Sequence, residues 1–280
     1  MTTLTASFAA DVRAYADAGA EGIGIWELKL EEGADAEALE LLEASGLGRA
    51  SAVPAVPSIL PLPLLGGPDD PAERVEALCA SLHRLAPFGP SGIVCLTGSG
   101  LGRDPDDARR LVVDGLATVA AEAASLGLVV ALEPYQREGG EEWTIASTVG
   151  EALELCRDAG DPPALALQFD LWHLWNTPHV LDDIAAHVDR FAGVHVSDHR
   201  DPTRGWADRA LPGDGDAPVA EILAALDTAG WEGFYDLEIF SDDGSFGDAY
   251  PDSIWARPAA ETARRGVEAI RRALPAGIRA

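Results

Sequence analysis

The chain has 280 residues and a formal net charge of −27, from 47 acidic and 20 basic side chains. A surface this acidic repels the phosphates of nucleic acids and of anionic membranes, so we expect neither as a partner. Lys29 is the single lysine, so a Schiff-base lysine or the lysine of a Walker-type phosphate loop would have to be this residue.

Composition and length predict one cytoplasmic domain. The sequence has no domain boundary, internal repeat or low-complexity tract, so we predict a single domain over residues 1–280. No run of about 18 apolar residues is present, which excludes a spanning helix, and the first residues lack a secretory signal. The three cysteines are widely spaced and odd in number, which is typical of free thiols in a reducing cytoplasm.

Short apolar runs alternate with longer amphipathic runs along the chain. In chain order, the predicted helices are Ala9–Ala18, Ala36–Ala44, Pro71–Leu85, Pro105–Leu126, Thr148–Ala159, Leu181–Val188, Val219–Ala229 and Ala259–Leu274. The predicted strands between them are Gly22–Trp26, Ala50–Val53, Ile93–Leu96, Leu128–Leu132, Ala164–Phe169, Phe191–Val196 and Phe234–Ile239. Strands that are apolar throughout are typical of a parallel sheet buried on both faces.

The alternation predicts an α/β fold, the (β/α)8 TIM barrel, because each unit is about 35 residues long and the chain exceeds about 250 residues. A doubly wound open sheet is the rival, but no Gly-x-Gly-x-x-Gly follows an early strand. Only Met1–Ser7 precedes the first helix, with Thr2, Leu4 and Thr5 as a strand stub. The first strand is therefore predicted to be short or truncated.

Four late strands each carry one potential metal ligand at or near the carboxyl end, where TIM barrels place their active sites. These residues are Glu133, Asp170, His195 and Glu238. Three ionised carboxylates at one barrel mouth would repel each other and cost free energy without compensation, and a divalent cation removes that cost. The donor set suits Mn2+, Mg2+ or Co2+, with Zn2+ as a further candidate. The alternative is that each residue caps a helix or forms a loop salt bridge.

The order of these elements resembles the sugar phosphate isomerase/epimerase family of the xylose isomerase-like TIM barrel superfamily. The resemblance rests on Glu133-Pro134, Asp170-Leu-Trp-His173, His195-Val-Ser-Asp198, Leu211-Pro-Gly-Asp-Gly215 and Asp236-Leu-Glu238. It covers nearly the whole chain, from about Phe8 to the last helix. The superfamily includes ketose 3-epimerases, inosose isomerases and dehydratases, hydroxypyruvate isomerases and endonuclease IV. The chain departs from it in lacking a full first strand and the early-strand histidines of endonuclease IV.

The resemblance implies a role for individual residues. It assigns Glu133, Asp170, His195 and Glu238 to a single-metal site, with Glu133 and Glu238 also serving as the acid/base pair. His173 and Arg209 match substrate-binding residues of the family. The segment Gly24-Ile-Trp26-Glu-Leu-Lys29 resembles the end of the second strand in a subgroup of the family that has Trp and Lys there.

Other readings stay open for the residues around this predicted site. His173 lies in an aromatic cluster and could be a packing residue. His199 could bind substrate hydroxyls or carry a loop charge. Trp26 could stack on a sugar or fill the barrel, since Trp does both. Lys29 could contact substrate or be a solvated lysine of the first helical turn.

The sequence predicts a divalent-metal-dependent sugar isomerase or epimerase that acts on a small ketose, inosose or related polyhydroxy carbonyl compound through an enediolate. Alternatives are a metal-dependent lyase or dehydratase, of inosose, dehydroshikimate or keto-glycoside type, and a non-catalytic sugar-binding barrel. These enzymes share the enediolate, so the sequence does not separate them, nor does it give the substrate or the metal. A homodimer or homotetramer would cover the sheet edge that a missing first strand exposes.

Overall fold

The computed structural model describes residues 2–63, 66–136 and 143–275. Its seven strands occur where the apolar runs predict them, with some bounds shifted by up to two residues. They are β1 (Gly22–Trp26), β2 (Gly48–Val53), β3 (Ile93–Cys95), β4 (Val130–Leu132), β5 (Leu165–Asp170), β6 (Phe191–Val196) and β7 (Tyr235–Leu237). All three cysteines are free thiols, and Cys95 and Cys156 are buried.

Helices alternate with these strands, and eight of the nine described match the predicted amphipathic runs. They are α1 (Phe8–Ala18), α2 (Asp35–Ser45), α3 (Pro71–Leu85), α4 (Pro105–Ser125), α5 (Val149–Asp158), α6 (Leu171–Leu174), α7 (Val180–His187), α8 (Val219–Ala229) and α9 (Ala259–Ala273). The short helix α6 is the one that the sequence pattern missed, because a single turn carries no amphipathic period. In the described ranges, no helix is both long and apolar enough to cross a membrane.

Local sequence signals set several helix boundaries. Asp70 and Asp104 accept backbone N–H bonds at the starts of α3 and α4, and a proline occupies the first turn of each helix. Proline is tolerated there because its missing N–H would have no partner inside the helix. Gly19 ends α1 in the left-handed conformation that a residue with a side chain rarely adopts.

The strands form one parallel sheet in the order β1 to β7, each paired with the next. The sheet curves into a TIM barrel that is nearly closed, since no pairing joins β7 to β1 within the described residues. Residues 2–7 form turns rather than a strand. The Thr2 hydroxyl hydrogen-bonds the Leu237 carbonyl and accepts from the Ile239 N–H at 3.2 Å, so it satisfies two backbone groups on the free edge of β7. The sequence predicts that the first strand is short or truncated, and this is confirmed, because turns take its place before α1.

The barrel interior contains two layers of side chains near the carboxyl ends of the strands. The upper layer includes an apolar half, at the ends of β1 to β3, and a charged half, at the ends of β4 to β7. Two glycines make room in the layer below. A Cβ on Gly24 would lie 2.3 Å from Asp236 Oδ2, and one on Gly193 would lie 2.2 Å from Gln168 Oε1. Polar side chains therefore fill space under the charged half.

The N-terminal segment is attached to the barrel by the only lysine. Lys29 Nζ forms an ion pair with Asp11 of α1 and donates a 2.9 Å hydrogen bond to the Thr3 carbonyl. Asp11 also accepts from the Thr3 hydroxyl at 2.7 Å. Burial raises the pKa of Asp11, although the neighbouring Lys29 opposes this shift. Removal of either partner would leave a buried charge without compensation.

We predict that Lys29→Met lowers the free energy of unfolding by about 3 kcal/mol, because it leaves the Asp11 carboxylate buried and unpaired. Addition of Asp11→Asn to this variant should recover part of the loss, since the uncompensated charge is then gone. Urea denaturation of the wild type and of both variants measures the effect. Equal unfolding midpoints for the wild type and Lys29→Met would contradict the structural role.

Candidate metal centre

The four predicted ligands converge at the barrel mouth. Glu133 follows β4, Asp170 ends β5, His195 lies near the end of β6 and Glu238 follows β7. All four are buried, and one ligand atom from each lies within 4.8 Å of the others. His195 Nδ1 is 3.3 Å from Glu133 Oε1 and 3.5 Å from Glu238 Oε2. Adjacent parallel strands thus bring together residues that are up to 105 positions apart in the chain.

In the part of the chain that the structure describes, Arg209 is the cation that contacts this cluster. Its Nη1 lies 2.8 Å from Asp170 Oδ2 and 2.9 Å from Glu238 Oε2, and its guanidinium is buried. The guanidinium also stacks over Trp172, with 4.8 Å from the central carbon to the ring centroid. Arg209 therefore balances one of the three carboxylate charges and leaves a net charge of −2 when His195 is neutral.

Proton affinities in the cluster reflect this excess negative charge. Burial raises the pKa of Glu133 to about 7, against the opposing influence of His195. Burial alone would lower the pKa of His195, but the charges of Glu238 and Glu133 outweigh it and raise that pKa to about 10. Burial also raises the pKa of Asp170. Glu238 behaves differently, because His195 and Arg209 outweigh its burial and hold its pKa below the ordinary value.

The residues present fit a divalent cation. A tetrahedral or octahedral ion with bonds of about 2.0–2.2 Å draws its ligand atoms to within about 4.4 Å of one another, close to the observed span. A charge of +2 neutralises the cluster of three carboxylates and one arginine. Oxygen donors with one imidazole suit Mg2+, Mn2+, Co2+ or Zn2+.

Helix capping, the alternative that the sequence leaves open, applies to one of the four residues. Asp170 Oδ1 accepts the Trp172 N–H at 2.8 Å and caps α6. Its other oxygen, Oδ2, faces Arg209 and the cluster. One carboxylate thus performs both tasks, since its two oxygens point to different partners.

His173 lies beside the cluster and is held by two neighbours. Arg209 Nη2 lies 3.2 Å from His173 Nε2, and the ring stacks on Tyr135 with 3.7 Å between centroids. Burial and the positive charge of Arg209 lower the pKa of His173 well below its ordinary value, so the imidazole is neutral. Because arginine can only donate, Nε2 accepts and the proton is at Nδ1. This Nδ1 is buried and has no protein partner among the described residues.

An apolar wall faces the charged half of the mouth. It comprises the buried residues Trp26, Val53, Leu62, Val94, Leu96 and Trp143, with Leu4 and Tyr135 packed against them. Trp143 stacks on Tyr135 with 6.3 Å between ring centroids and contacts Trp206 at 5.7 Å. The mouth is therefore divided into an aromatic side and a polar side, an arrangement common in sites for small organic ligands.

The loop that follows β6 is organised around Asp198. Its side chain accepts the N–H groups of Gly213 and Gly215 at 2.8 and 3.1 Å, and that of Ala217 at 3.0 Å. A Cβ on Gly215 would lie 2.5 Å from Asp198 Oδ1, so only glycine allows this close approach. Asp198 also forms an antiparallel bridge with Ala210, and the N–H of the preceding residue, Arg209, donates to the Phe240 carbonyl at 2.8 Å.

The predicted substrate residues lie in different parts of the structure. His173 and Arg209 contact each other and the cluster, and Trp26 belongs to the apolar wall. His199 is buried between Trp172 and Trp175, with ring centroids 5.2 Å apart in each pair. Lys29 has its ammonium group bound to Asp11 and Thr3. Substrate contact by any of these residues stays a prediction.

Three residues near the cluster were not predicted as site residues. Ser51 Oγ lies 3.0 Å from His195 Nε2 and 3.3 Å from Asp236 Oδ2, and Tyr135 stacks on His173. A serine inside the apolar run of β2, two positions before the wall residue Val53, was the available signal for Ser51. Asp236 has the same spacing from Glu238, which places both side chains on the inner face of the barrel.

We predict that, with EDTA present, Glu133→Gln unfolds at a higher urea concentration than the wild type at pH 8.5. The raised pKa means that folded Glu133 binds a proton that the unfolded chain has already lost, so its burial costs stability as pH rises from about 4.5 through about 7. The neutral amide avoids this cost. The difference between the two proteins should shrink towards pH 5, where the wild-type carboxyl group is protonated.

The exposed Glu221→Gln in α8 is the matched control, and its midpoint should follow the wild type at both pH values. A Glu133→Gln midpoint that differs from the wild type equally at pH 5 and pH 8.5 would show that this carboxyl group does not titrate in the interval.

Comparison with known proteins agrees with the fold. Residues 12–273 match the family described as xylose isomerase-like TIM barrel. A Streptomyces coelicolor protein named "Putative hydroxypyruvate isomerase" is 27% identical over 190 residues, which cover 64% of this chain. The same alignment covers only 64% of that relative's length.

Solved structures give the same result. The Sinorhizobium meliloti 1021 protein SMc04130 superposes with a TM-score of 0.83 at 26% identity, covering 98% of this chain and 96% of that one. The IOLI protein, solved with zinc bound, gives 0.77 at 17% identity, with 97% and 95% coverage. The Escherichia coli 3-keto-D-glucoside 4-epimerase YcjR gives 0.72 at 19% identity, with 95% and 94% coverage. This chain belongs to the xylose isomerase-like TIM barrel family.

Proposed function

We propose that this protein is a divalent-metal-dependent isomerase or epimerase of a small ketose, inosose or related polyhydroxy carbonyl compound. The observation that carries the proposal is the buried convergence of Glu133, Asp170, His195 and Glu238 at the barrel mouth. Relatives named as an isomerase and an epimerase, and a neighbour with bound zinc, support the reaction class and the metal.

Glu133, Asp170, His195 and Glu238 would hold the metal. When bound, the cation supplies a Lewis acid that polarises a substrate carbonyl and makes the proton on the neighbouring carbon more acidic. The protein supplies the groups that move this proton. Two carboxylates on opposite sides of the cluster are needed, because epimerisation removes the proton from one face and returns it to the other.

Glu133 and Glu238 are the acid/base pair in this proposal. Each extends from a separate strand end, and His195 lies between their side chains at 3.3 and 3.5 Å. One carboxylate oxygen takes the proton from the substrate carbon, and the other carboxyl group donates a proton to the opposite face or to the adjacent carbon. Isomerisation and epimerisation differ only in the carbon that receives the proton.

Arg209 and His173 orient the substrate. The guanidinium carries its positive charge beside Asp170 and Glu238, where it would stabilise negative charge that develops on a substrate oxygen. The Nδ1–H of His173 is a buried donor without a described protein partner, so a substrate hydroxyl can satisfy it. Neither residue needs to change protonation state, because burial and charge keep His173 neutral.

The apolar wall binds the carbon face of the sugar and excludes water. Trp143 and Tyr135 form a stacked pair beside His173, and Trp26 covers the neighbouring strand end. A sugar ring or chain has an apolar C–H face that packs on aromatic rings, while its hydroxyl groups face the polar half. Exclusion of water strengthens the interactions of Arg209 with the substrate oxygens.

We predict that Glu133→Gln and Glu238→Gln each lower kcat by about 10²–10⁴-fold, because each variant loses one proton-transfer group. Removal of metal with EDTA should abolish turnover, and added Mn2+, Mg2+, Co2+ or Zn2+ should restore it. The assay is a panel of ketoses and inososes, with products identified by chromatography. Glu221→Gln, on the exposed face of α8, should retain wild-type activity.

The same panel separates the alternative reactions. An enone that absorbs in the ultraviolet would identify a dehydratase in place of an isomerase. Full activity of both glutamine variants would contradict the acid/base assignment. Absence of bound metal by elemental analysis, together with activity that EDTA does not change, would contradict the metal assignment.

We predict that epimerisation in D2O places deuterium on the inverted carbon of nearly every product molecule. The carboxyl group that delivers the proton exchanges with solvent between turnovers, so the delivered atom is deuterium. Mass spectrometry and proton NMR of the product measure the incorporation, and unreacted substrate serves as the control. Retention of protium on the inverted carbon would show that the hydrogen moves within the substrate without a solvent-exchangeable carboxyl group.

A further inference from the structure

We propose that Ser51 and Asp236 are positioning residues that fix the ring of His195 and its proton for metal binding. The inference rests on the proposed function, since it concerns one of the four proposed ligands. Ser51 lies on β2 and Asp236 on β7, so the residues that support His195 come from strands on both sides of the open seam between β7 and β1.

The hydrogen bonds determine which ring nitrogen carries a proton. Ser51 Oγ lies 3.0 Å from His195 Nε2, and its hydroxyl donates to Asp236 Oδ2 at 3.3 Å. A hydroxyl group has one proton, and a carboxylate can only accept. With that proton directed at Asp236, the Ser51 oxygen accepts from His195 Nε2–H. In the neutral imidazole that a cation requires, Nδ1, on the other side of the ring, then carries no proton and can be the ligand atom.

The rest of the ring geometry agrees with this assignment. His195 Nδ1 faces Glu133 and Glu238, the two carboxylates of the proposed acid/base pair. Metal-binding histidines usually donate their second N–H to a carboxylate, carbonyl or water, which fixes the ring and raises its basicity. Here the serine hydroxyl lies between the imidazole and the carboxylate, so two hydrogen bonds in series replace the usual direct one.

The fold makes room for the hydrogen-bonded series of His195, Ser51 and Asp236. Asp236 lies two residues before Glu238 on the inner face of β7, and it lines a cavity of about 150 Å³ that opens between β7 and β1. Gly24 faces its carboxylate, where a Cβ would lie 2.3 Å from Oδ2. A residue other than glycine at this position would displace Asp236. The backbone of β1 thus contributes to the placement of a carboxylate under the proposed metal.

The test is zinc affinity, measured by competition with a chelator in metal-stripped protein. Ser51→Ala and Asp236→Ala should each weaken zinc binding by about 10–100-fold, which is typical when such outer hydrogen bonds are removed. The zinc affinity of the double variant should be no lower than that of the weaker-binding single variant, because both changes interrupt the same series of hydrogen bonds. Gly24→Ala, with Ser51 and Asp236 intact, should weaken binding through displacement of the carboxylate.

Gln168→Met is the matched control. Gln168 lies two residues before Asp170, as Asp236 lies before Glu238, and its amide has no described hydrogen-bond partner. It should bind zinc as the wild type does. A loss as large as that of Asp236→Ala would mean that any change in this layer weakens the site, and would overturn the inference. Wild-type affinity in folded Ser51→Ala and Asp236→Ala would overturn it as well.

Nitrogen-15 NMR of labelled histidine gives a readout that does not depend on activity. In the zinc-loaded wild type, His195 should carry its proton on Nε2, and this N–H should exchange slowly with solvent. Ser51→Ala should speed the exchange. A proton on Nδ1 with bare Nε2 would overturn the inference. If the wild type binds no divalent cation, the proposed function fails, and the Nε2–H resonance of the metal-free protein alone decides the positioning role.

Discussion

The rest of the site depends on one electrostatic constraint, the burial of three carboxylates beside Arg209, the one arginine that contacts them among the described residues. Glu133, Asp170 and Glu238 cannot all stay ionised there without compensation, because low polarity strengthens their repulsion. Arg209 supplies one positive charge. Without a bound cation, protons supply the rest of the positive charge. Burial raises the pKa of Glu133 to about 7, and the neighbouring carboxylates raise the pKa of His195 to about 10 against the effect of burial. A divalent cation would replace those protons.

The layers of the barrel divide the tasks of binding and support. The upper layer presents charged side chains from β4 to β7 and an apolar wall from β1 to β3, so a substrate meets a polar and an aromatic surface at once. The layer below uses glycines on β1 and β6 to admit the side chains of Asp236 and Gln168. Close packing elsewhere in the core would exclude such polar groups. Glycines low in the barrel therefore leave space for polar side chains under the cluster.

The open side of the barrel changes how the N-terminal segment is held. In a closed barrel, hydrogen bonds between strands would satisfy the edges of β7 and β1. Here the Thr2 hydroxyl bonds two backbone groups near the end of β7, and the Lys29–Asp11 ion pair joins α1 to the turn after β1. The lone lysine therefore has a structural partner in Asp11, and its substrate contact stays a prediction. Sequence spacing placed Lys29 at the mouth but could not show this partner.

The sequence by itself determined the strand order, the boundaries of eight helices to within one residue, and the four candidate ligands, because apolar runs, caps and strand-end polar residues are local signals. It did not determine which nitrogen of His195 faces the ligands, or that Arg209 bridges Asp170 and Glu238, because those contacts join residues that are far apart in the sequence. The sequence did not identify Ser51 and Asp236 as site residues for the same reason. An isolated serine or aspartate in a strand acquires meaning only when the barrel curves and brings both side chains under one imidazole.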